Sequence, residues 1–215
     1  MSNFTYETEN RREHLERYEW DNVWWEQLGN AASSRVLYIG DSISCGVRRV
    51  ATAMSGELLF DGFGSSKALD NPYFQESVAL FARQQGKRKI VLFNNGLHGW
   101  HLDDIEEYPY YYDRLVKFLL DEFKDTPVAL VLTTSVAAEE REARVKRRNE
   151  AAVKIAESHG LPVIDLYSVS ARYKEYRSGD GVHFSAEGYE KFAEQILTDI
   201  DRILKSRQEK ENGEI

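Results

Sequence analysis

The sequence places a serine where a nucleophile would be useful. Residues 35–44 read RVLYIGDSIS, an apolar segment that breaks at Gly40 and is followed at once by Asp41 and Ser42. An apolar segment that stops on glycine is typical of a buried strand, and open α/β folds bind ligands at the carboxyl edge of such strands. A serine hydroxyl is a poor nucleophile at neutral pH unless a base lies beside it. The chemistry therefore depends on whether the chain brings a base to Ser42.

The candidate base lies far away in the sequence, in the segment Asp180-Gly-Val-His183. An imidazole can take the proton from a serine hydroxyl and return it to the leaving alcohol. A carboxylate three residues before the histidine can fix the tautomer of the ring and stabilise its charged form. These residue types and this spacing predict Ser42 as the nucleophile, His183 as its base and Asp180 as the acid that orients the base.

The Gly-Asp-Ser segment and the Asp-x-x-His segment together resemble the SGNH/GDSL hydrolase family, over about residues 35–204. The resemblance implies a serine esterase in which Ser42, His183 and Asp180 form the catalytic triad. It also implies that the backbone N–H of Ser42 and that of a second-block glycine bind the oxyanion. Gly64 is the best match to that glycine and Gly62 is the alternative, while a glycine that only shapes a turn is the competing interpretation.

The third block of the family, usually Gly-x-Asn-Asp, is altered in this chain. The aligned segment 96–99 reads GLHG, so His98 stands in the place of the asparagine. A neutral imidazole N–H or an amide N–H can each stabilise an oxyanion, which leaves Asn94, Asn95 and His98 as candidates. We assign Asn95 and His98 to the oxyanion hole and favour Asn95 as the donor, because it follows the strand directly. We expect Asn94 and Asp41 to contact substrate, and the alternative for Asp41 is a cap on the turn.

The pattern of the chain predicts an α/β fold. Apolar, strand-like segments alternate with helix-like segments, at residues 35–39, 89–94, 127–133 and 162–166, with a short fifth strand near 57–60. Such alternation favours a parallel sheet with helices on both faces. The resemblance implies the flavodoxin-like, three-layer sandwich of the family, with about five strands.

Three regions are expected along the chain: an N-terminal helical or extended arm packed on the core (1–34), the hydrolase domain (35–205) and a charged C-terminal tail (206–215). Two polar segments, 60–74 and 168–179, are interpreted as loops. The charged segment 137–160 is interpreted as a helix with a solvated face. The alternative for Arg147, Arg148 and Asn149 in that helix is that they point a group into the site.

The composition narrows the classes of partner. The formal net charge is −8, which disfavours nucleic acid and anionic membranes and makes a polyanionic substrate less favoured, although a local basic pocket is compatible with it. Cys45 is the single cysteine, so an intrachain disulfide is excluded. No metal is expected near His98 and His101, because no second ligand group stands beside them. No cofactor is expected either, because no phosphate loop or dinucleotide fingerprint follows a strand.

The sequence also bears on location. No apolar run approaches the ~20 residues of a membrane span, and the first ten residues, MSNFTYETEN, lack the basic and apolar regions of a signal peptide. As given, the chain is predicted to be cytoplasmic, and an exported protein whose signal peptide had been removed would look the same. The oligomeric state is left open.

These observations predict a serine-dependent ester hydrolase whose substrate is a small-molecule or oligosaccharide ester. The favoured reaction is removal of O-acetyl groups from a carbohydrate through an acyl-enzyme, which rests on the habit of the family and on loops rich in Trp, Tyr and Asn. One alternative is a lipid-type esterase, such as a thioesterase or lysophospholipase. Another is a non-catalytic carbohydrate-binding protein with the same fold.

Overall fold

A computed structural model describes residues 19–102 and 106–213 of the chain. Within these residues the backbone forms six strands: β1 (Asp21–Trp24), β2 (Ser34–Gly40), β3 (Leu58–Ser65), β4 (Ile90–Phe93), β5 (Val128–Val131) and β6 (Val163–Ile164). The helices are α1 (Ser42–Ser55), α2 (Phe74–Gln85), α3 (Glu107–Glu122), α4 (Glu139–His159), α5 (Leu166–Arg172) and α6 (Ala186–Gly213), with a short 3₁₀ turn at Lys174–Tyr176.

The strands form one sheet in the order β1-β3-β2-β4-β5-β6. All neighbours pair in parallel except β1, which runs antiparallel to β3 and closes one edge of the sheet. The central strands are buried on both faces, as expected for parallel strands covered by helices on either side. The predicted parallel sheet with helices on both faces is therefore confirmed, and β1 is the strand beyond the five expected.

The two faces of the sheet carry separate apolar cores, because successive side chains of a strand point to opposite sides. In β2, Leu37 and Ile39 pack with α2, α3 and α4, whereas Val36 and Tyr38 pack with α1 and α6. These four side chains are at most 1 % exposed. The result is a three-layer sandwich, with the C-terminal ends of the parallel strands meeting at one edge.

The expectation of a loop over residues 60–74 is wrong for its first part, because β3 continues to Ser65. Phe60 and Phe63 are buried in the two different cores. The polar residue between them, Asp61, is fully buried and accepts hydrogen bonds from Arg35 (2.9 Å) and from the amide of Gln85 (2.7 Å). A buried carboxylate with such partners is tolerated in a strand, which is why a polar segment forms one.

The loop expected over 168–179 is also partly wrong, since most of α5 and the 3₁₀ turn fall within it. Asp165 begins α5 by accepting a hydrogen bond from the backbone N–H of Ser168 at 2.9 Å. Of the expected arm, residues 1–18 lie outside the described residues, and 21–24 form β1. Most of the expected tail continues helix α6, as far as Gly213. No helix among residues 19–102 and 106–213 has the length and apolar character needed to cross a membrane.

Candidate active site

Ser42 lies at the junction of strand β2 and helix α1. Asp41 caps the helix, because its Oδ1 accepts a hydrogen bond from the backbone N–H of Ile43 at 2.9 Å. The cap sets the sharp turn from strand to helix, so the Ser42 hydroxyl lies at the carboxyl edge of the sheet. The Ser42 N–H belongs to the first turn of α1, where backbone donors have no partner within the helix. A hydroxyl and a backbone donor are thus available at the same point.

A tight turn before α6 carries the acid and the base. Asp180 Oδ1 accepts from the backbone N–H groups of Val182 and His183, each at 2.9 Å. Gly181 has φ of 77°, which favours glycine, and its carbonyl accepts from Ala137 N–H at 2.8 Å. Apart from the bond from Ala137, these bonds run within the turn, so the turn is shaped largely by its own residues.

The turn brings the three predicted residues together. His183 Nε2 lies 2.7 Å from Ser42 Oγ, and His183 Nδ1 lies 2.7 Å from Asp180 Oδ2. Because Nδ1 faces a carboxylate, it carries the ring proton, and Nε2 is left to accept a hydrogen bond from the Ser42 hydroxyl. This is the arrangement that a serine nucleophile requires of its base.

The pKa values of the two acids near the serine are shifted in opposite directions. The backbone N–H of Val182, together with the hydrogen bonds from His183, lowers the pKa of Asp180 to about 2. Asp180 therefore stays ionised, with about half of its side chain exposed to water. Burial raises the pKa of Asp41, which is only 1 % exposed, while the nearby rings of His98 and His183 oppose that rise.

A cavity of about 280 Å³ opens beside Ser42. Its wall is mostly apolar and is built from the 97–100 loop, the start of α4 and the Asp180–His183 turn. The residues that line it are Ser42, Leu97, His98, Trp100, Val136, Arg141, Val145, Asp180, Val182 and His183.

Of the two candidate side-chain donors, only His98 lines this cavity. Asn95 is 4 % exposed. Its side-chain amide donates a hydrogen bond to the carbonyl oxygen of Lys67, which lies 3.4 Å away. The backbone carbonyl of Asn95 accepts a hydrogen bond from the hydroxyl of Tyr108. The structure thus brings His98 to Ser42 and turns Asn95 towards a neighbouring loop, which differs from our preference for Asn95.

Asn94 and Asp41 have contacts inside the protein instead of a place in the cavity wall. The amide of Asn94 donates to the Val131 carbonyl and to the Thr133 hydroxyl, both at 3.1 Å, and so joins the ends of β4 and β5. Asp41 caps α1, which is the alternative interpretation of that residue. Both side chains hold in position the backbone from which the cavity is built.

Gly64 lies within β3 and not in a loop. Ser66 N–H donates to the Trp20 carbonyl at 3.0 Å, across the antiparallel pair of β1 and β3. Hydrogen-bonded pairs alternate in such a ladder, so the pair of Gly64 with Asn22 is also bonded and the Gly64 N–H faces β1. A side chain at Gly64 would overlap the sulfur of Cys45, which explains the glycine by packing.

Arg148 and Asn149 point inward, so the expectation of a solvated face is wrong at these two positions. Arg148 is 3 % exposed and donates to the carbonyls of Gly96 (3.2 Å), His98 (2.6 Å) and Gly99 (2.7 Å). It therefore holds the loop that carries His98. A signal for this exists in the sequence, because both residues share a helical face with the apolar residues Val145, Ala152, Ile155 and Ala156.

The segment before β1 also reaches the site. The rings of Trp20 and His98 meet edge to face, with centroids 6.1 Å apart. Sequence reasoning did not single out Trp20 from the other tryptophans, since its place depends on the pairing of β1 with β3.

The other histidine of this loop, His101, lies 3.0 Å from Asp70. Among the residues that the structure describes, no group of three or more His, Cys, Asp or Glu side chains could hold a metal ion. Asp103 and Asp104 lie outside the described residues.

A family model matches most of the chain. The model of the GDSL-like Lipase/Acylhydrolase family matches residues 38–191. None of the curated proteins matches the chain at a significant level.

Solved structures share the fold at low sequence identity. The C-terminal catalytic domain of Streptococcus pneumoniae peptidoglycan O-acetyltransferase A has a TM-score of 0.62 at 19% identity, over 80% of this chain and 95% of that one. A lipase/acylhydrolase from Enterococcus faecalis has a TM-score of 0.59 at 19% identity, over 78% and 95%. An acetylxylan esterase from Geobacillus stearothermophilus has a TM-score of 0.58 at 16% identity, over 80% and 96%.

The family match covers more than half of the chain, and it contains both the Ser42 turn and the Asp180–His183 turn. The family implies a small ester as substrate. The chain therefore belongs to the GDSL-like lipase/acylhydrolase (SGNH) family and is an ester hydrolase of that type.

Proposed function

We propose that the protein removes short acyl groups, in the first place O-acetyl groups of a carbohydrate, through a covalent acyl-enzyme on Ser42. The observation that carries this proposal is the unbroken chain of hydrogen bonds from Asp180 to His183 to Ser42, with both links at 2.7 Å. In this proposal the three residues form the catalytic triad. A protein that only bound its ligand would not need these three residues in hydrogen-bond contact beside a cavity.

In the first half of the reaction, Ser42 Oγ attacks the ester carbonyl carbon and its proton passes to His183 Nε2. The Asp180 carboxylate stabilises the imidazolium that forms. When the tetrahedral intermediate collapses, the C–O bond to the alcohol breaks and the alcohol leaves with the proton from His183. In the second half, water gives its proton to His183 Nε2 as it attacks the acyl carbon. The second tetrahedral intermediate then collapses: the bond between the acyl carbon and Ser42 Oγ breaks, His183 returns the proton to Ser42 Oγ, and the carboxylic acid leaves.

The developing oxyanion needs donors that are already in place. In this proposal they are the Ser42 N–H at the start of α1 and a ring N–H of His98, because His98 shares the cavity with the nucleophile. Arg148 contributes by fixing the carbonyl of His98 at 2.6 Å. The N–H of Gly64 is not among these oxyanion donors, since it faces β1.

The size of the cavity supports a short acyl group. Its volume of about 280 Å³ lies just below the usual range of ligand pockets, ~300–1,000 Å³. Support for a carbohydrate alcohol comes from proteins of the same fold, one an acetylxylan esterase and another a peptidoglycan O-acetyltransferase.

One observation favours the lipid-type alternative. Four of the residues that line the cavity are apolar and aliphatic, namely Leu97, Val136, Val145 and Val182. Such a wall would also accept an alkyl chain, provided that the chain could leave the cavity at its far end. The acyl preference therefore decides between the two functions.

The test is kcat/KM for p-nitrophenyl esters of increasing acyl length, with Ser42→Ala as the control. We expect the acetyl ester to react faster than the octanoyl ester, and a fluorophosphonate probe to label the wild type and not Ser42→Ala. A steady increase of kcat/KM with chain length would select the lipid-type esterase. Undiminished turnover by Ser42→Ala would remove the assignment of the nucleophile.

A further inference from the structure

Arg141 is a cation in the wall of the active-site cavity. It lies in the first turn of α4, is exposed, and lines the same cavity as Ser42 and His183. Its guanidinium carbon lies 5.1 Å from the centre of the Trp100 ring. A cation over an indole is held in place by the ring but keeps its N–H donors at the edge free for other acceptors.

The charge of Arg141 is not matched by an acid on its own helix. On a helix the neighbours of a residue stand three and four positions away, and for Arg141 these are Ala137, Ala138, Arg144 and Val145. The acids next to it in sequence, Glu140 and Glu142, do not face it for the same reason. Glu142 is engaged elsewhere, since it accepts from the Val136 N–H at 2.8 Å. Within the described residues, Trp100 is the partner that the structure gives Arg141.

A second guanidinium packs on the same ring. Arg144 lies 4.7 Å from the centre of the Trp100 ring but is not among the residues that line the cavity. Among the described residues that line it, the acid is Asp180, whose carboxylate is bonded to His183 at 2.7 Å. Arg141 is therefore the charged side chain of the wall that is left for an anionic group of the substrate.

The chemistry of this position suits an oxyanion. The planar fork of an arginine matches the two oxygens of a carboxylate or phosphate, and it keeps its charge at every working pH. The surrounding aliphatic wall lowers the local polarity and strengthens such a contact. In a cavity of about 280 Å³, the anion and the reacting ester would stand only a few bonds apart.

We propose that Arg141 binds a carboxylate or phosphate carried by the substrate itself, so that the preferred substrate is an O-acetylated acidic sugar and not a neutral one. This inference rests on the proposed esterase function and names its substrate class. The negative charge of the protein does not exclude such a substrate, because one anionic group is met by one local cation.

The test compares three O-acetyl esters that share one sugar ring: O-acetylglucose, O-acetylglucuronic acid and O-acetylglucose 6-phosphate. We expect kcat/KM of the wild type to favour at least one of the two anionic esters over the neutral one by about 10–100-fold, the usual range for a hydrogen bond to a charged group. The anionic ester that is favoured identifies the source of the charge. Arg141→Gln should remove the preference, and Arg141→Lys should retain part of it.

The matched control is Arg147→Gln, which removes an exposed arginine from the same helix but outside this cavity. It should keep the wild-type ratio between anionic and neutral esters. An equal rate of the wild type on all three esters, or an unchanged ratio in Arg141→Gln, would overturn the inference and leave the esterase proposal standing.

A binding measurement separates the two proposals. In a Ser42→Ala background, calorimetry with O-acetylglucuronic acid and O-acetylglucose 6-phosphate should show a Kd weakened about 10–100-fold by Arg141→Gln and not by Arg147→Gln. If the wild type hydrolysed none of the three esters, the proposed function would fail. The calorimetric difference would then still decide the anion site on its own, with no difference overturning it.

Discussion

The two sides of the site are built in different ways. The Asp180–His183 turn is partly exposed, and the bonds that shape it run mostly between residues 178 and 183. The 94–102 loop, on the other side of Ser42, is largely buried and is held by residues from remote helices, above all Arg148 and Tyr108. The acid–base side is therefore locally determined, while the proposed oxyanion side depends on the packing of the whole domain.

The difference teaches where function and stability are coupled. A change of the His183 side chain removes the proposed base and leaves the two apolar cores in place, because His183 belongs to neither of them. A change of a residue that holds the loop leaves buried backbone carbonyls exposed or without a donor. It therefore affects both the free energy of unfolding and the geometry of His98. The predictions below test this contrast.

The largest effect is expected from His183→Ala. By analogy with triad knockouts, kcat on a short acyl ester should fall about 10⁴–10⁶-fold. The free energy of unfolding should change by no more than about 0.5 kcal/mol, since the side chain is partly exposed and away from the cores. Kinetics and urea unfolding on the same preparation measure both. A large loss of stability would show that the turn is not the independent unit described above.

The next effect distinguishes His98 from Asn95. Loss of one oxyanion donor typically costs about 10²–10³ in kcat. We expect His98→Ala to show that loss with KM little changed, whereas Asn95→Ala should mainly lower stability by removing the amide that donates to the Lys67 carbonyl. The converse result, with the kcat loss in Asn95→Ala, would return the donor role to the asparagine.

A smaller effect on rate, combined with an effect on folding, is expected from Arg148→Met. The methionine keeps much of the packing volume but leaves the carbonyls of Gly96, His98 and Gly99 without their donor. Unsatisfied buried groups cost about 1–3 kcal/mol each, so we expect a loss of roughly 2–4 kcal/mol in stability after relaxation and a fall in kcat of about tenfold or more. Arg147→Met, on the exposed side of α4, is the control and should be close to neutral.

The smallest effect is expected when the pH is lowered by one unit on the acid side of the kcat/KM profile. Asp180 has a pKa of about 2, so it stays ionised down to about pH 4 and its protonation does not enter the profile. We expect kcat/KM to fall as the pH falls, because the proposed mechanism needs a neutral base to take the proton of Ser42, with a limiting slope of about tenfold per unit. A rate that stayed flat to pH 5, in folded protein with chemistry limiting, would speak against a histidine base.

Much of the fold follows from local signals in the sequence. The buried strands are recognisable because their residues are apolar and bounded by polar or glycine residues. The acid and the base are recognisable because their spacing closes a turn by itself. Neither inference requires knowledge of a distant contact.

What the sequence could not supply depends on distant contacts. The polar residue Asp61 fits inside β3 only because Arg35 and Gln85 neutralise and bind it. The choice between Asn95 and His98 depends on Tyr108 and Arg148, which no spacing in the 94–102 segment can reveal. The pairing of β1 with β3 likewise joins segments some forty positions apart, and it sets the place of Trp20.

The antiparallel strand β1 has a consequence for protein engineering. It lies before residue 38, where the family match begins, and a version shortened to start just before β2 would lose it while keeping the whole of β2. The edge of β3 would then present a row of unpaired backbone groups, the kind of edge through which proteins aggregate. The same cut would remove Trp20 from the side of His98. Solubility and substrate handling would thus be lost in one step, although the nucleophile, the base and its acid all remained.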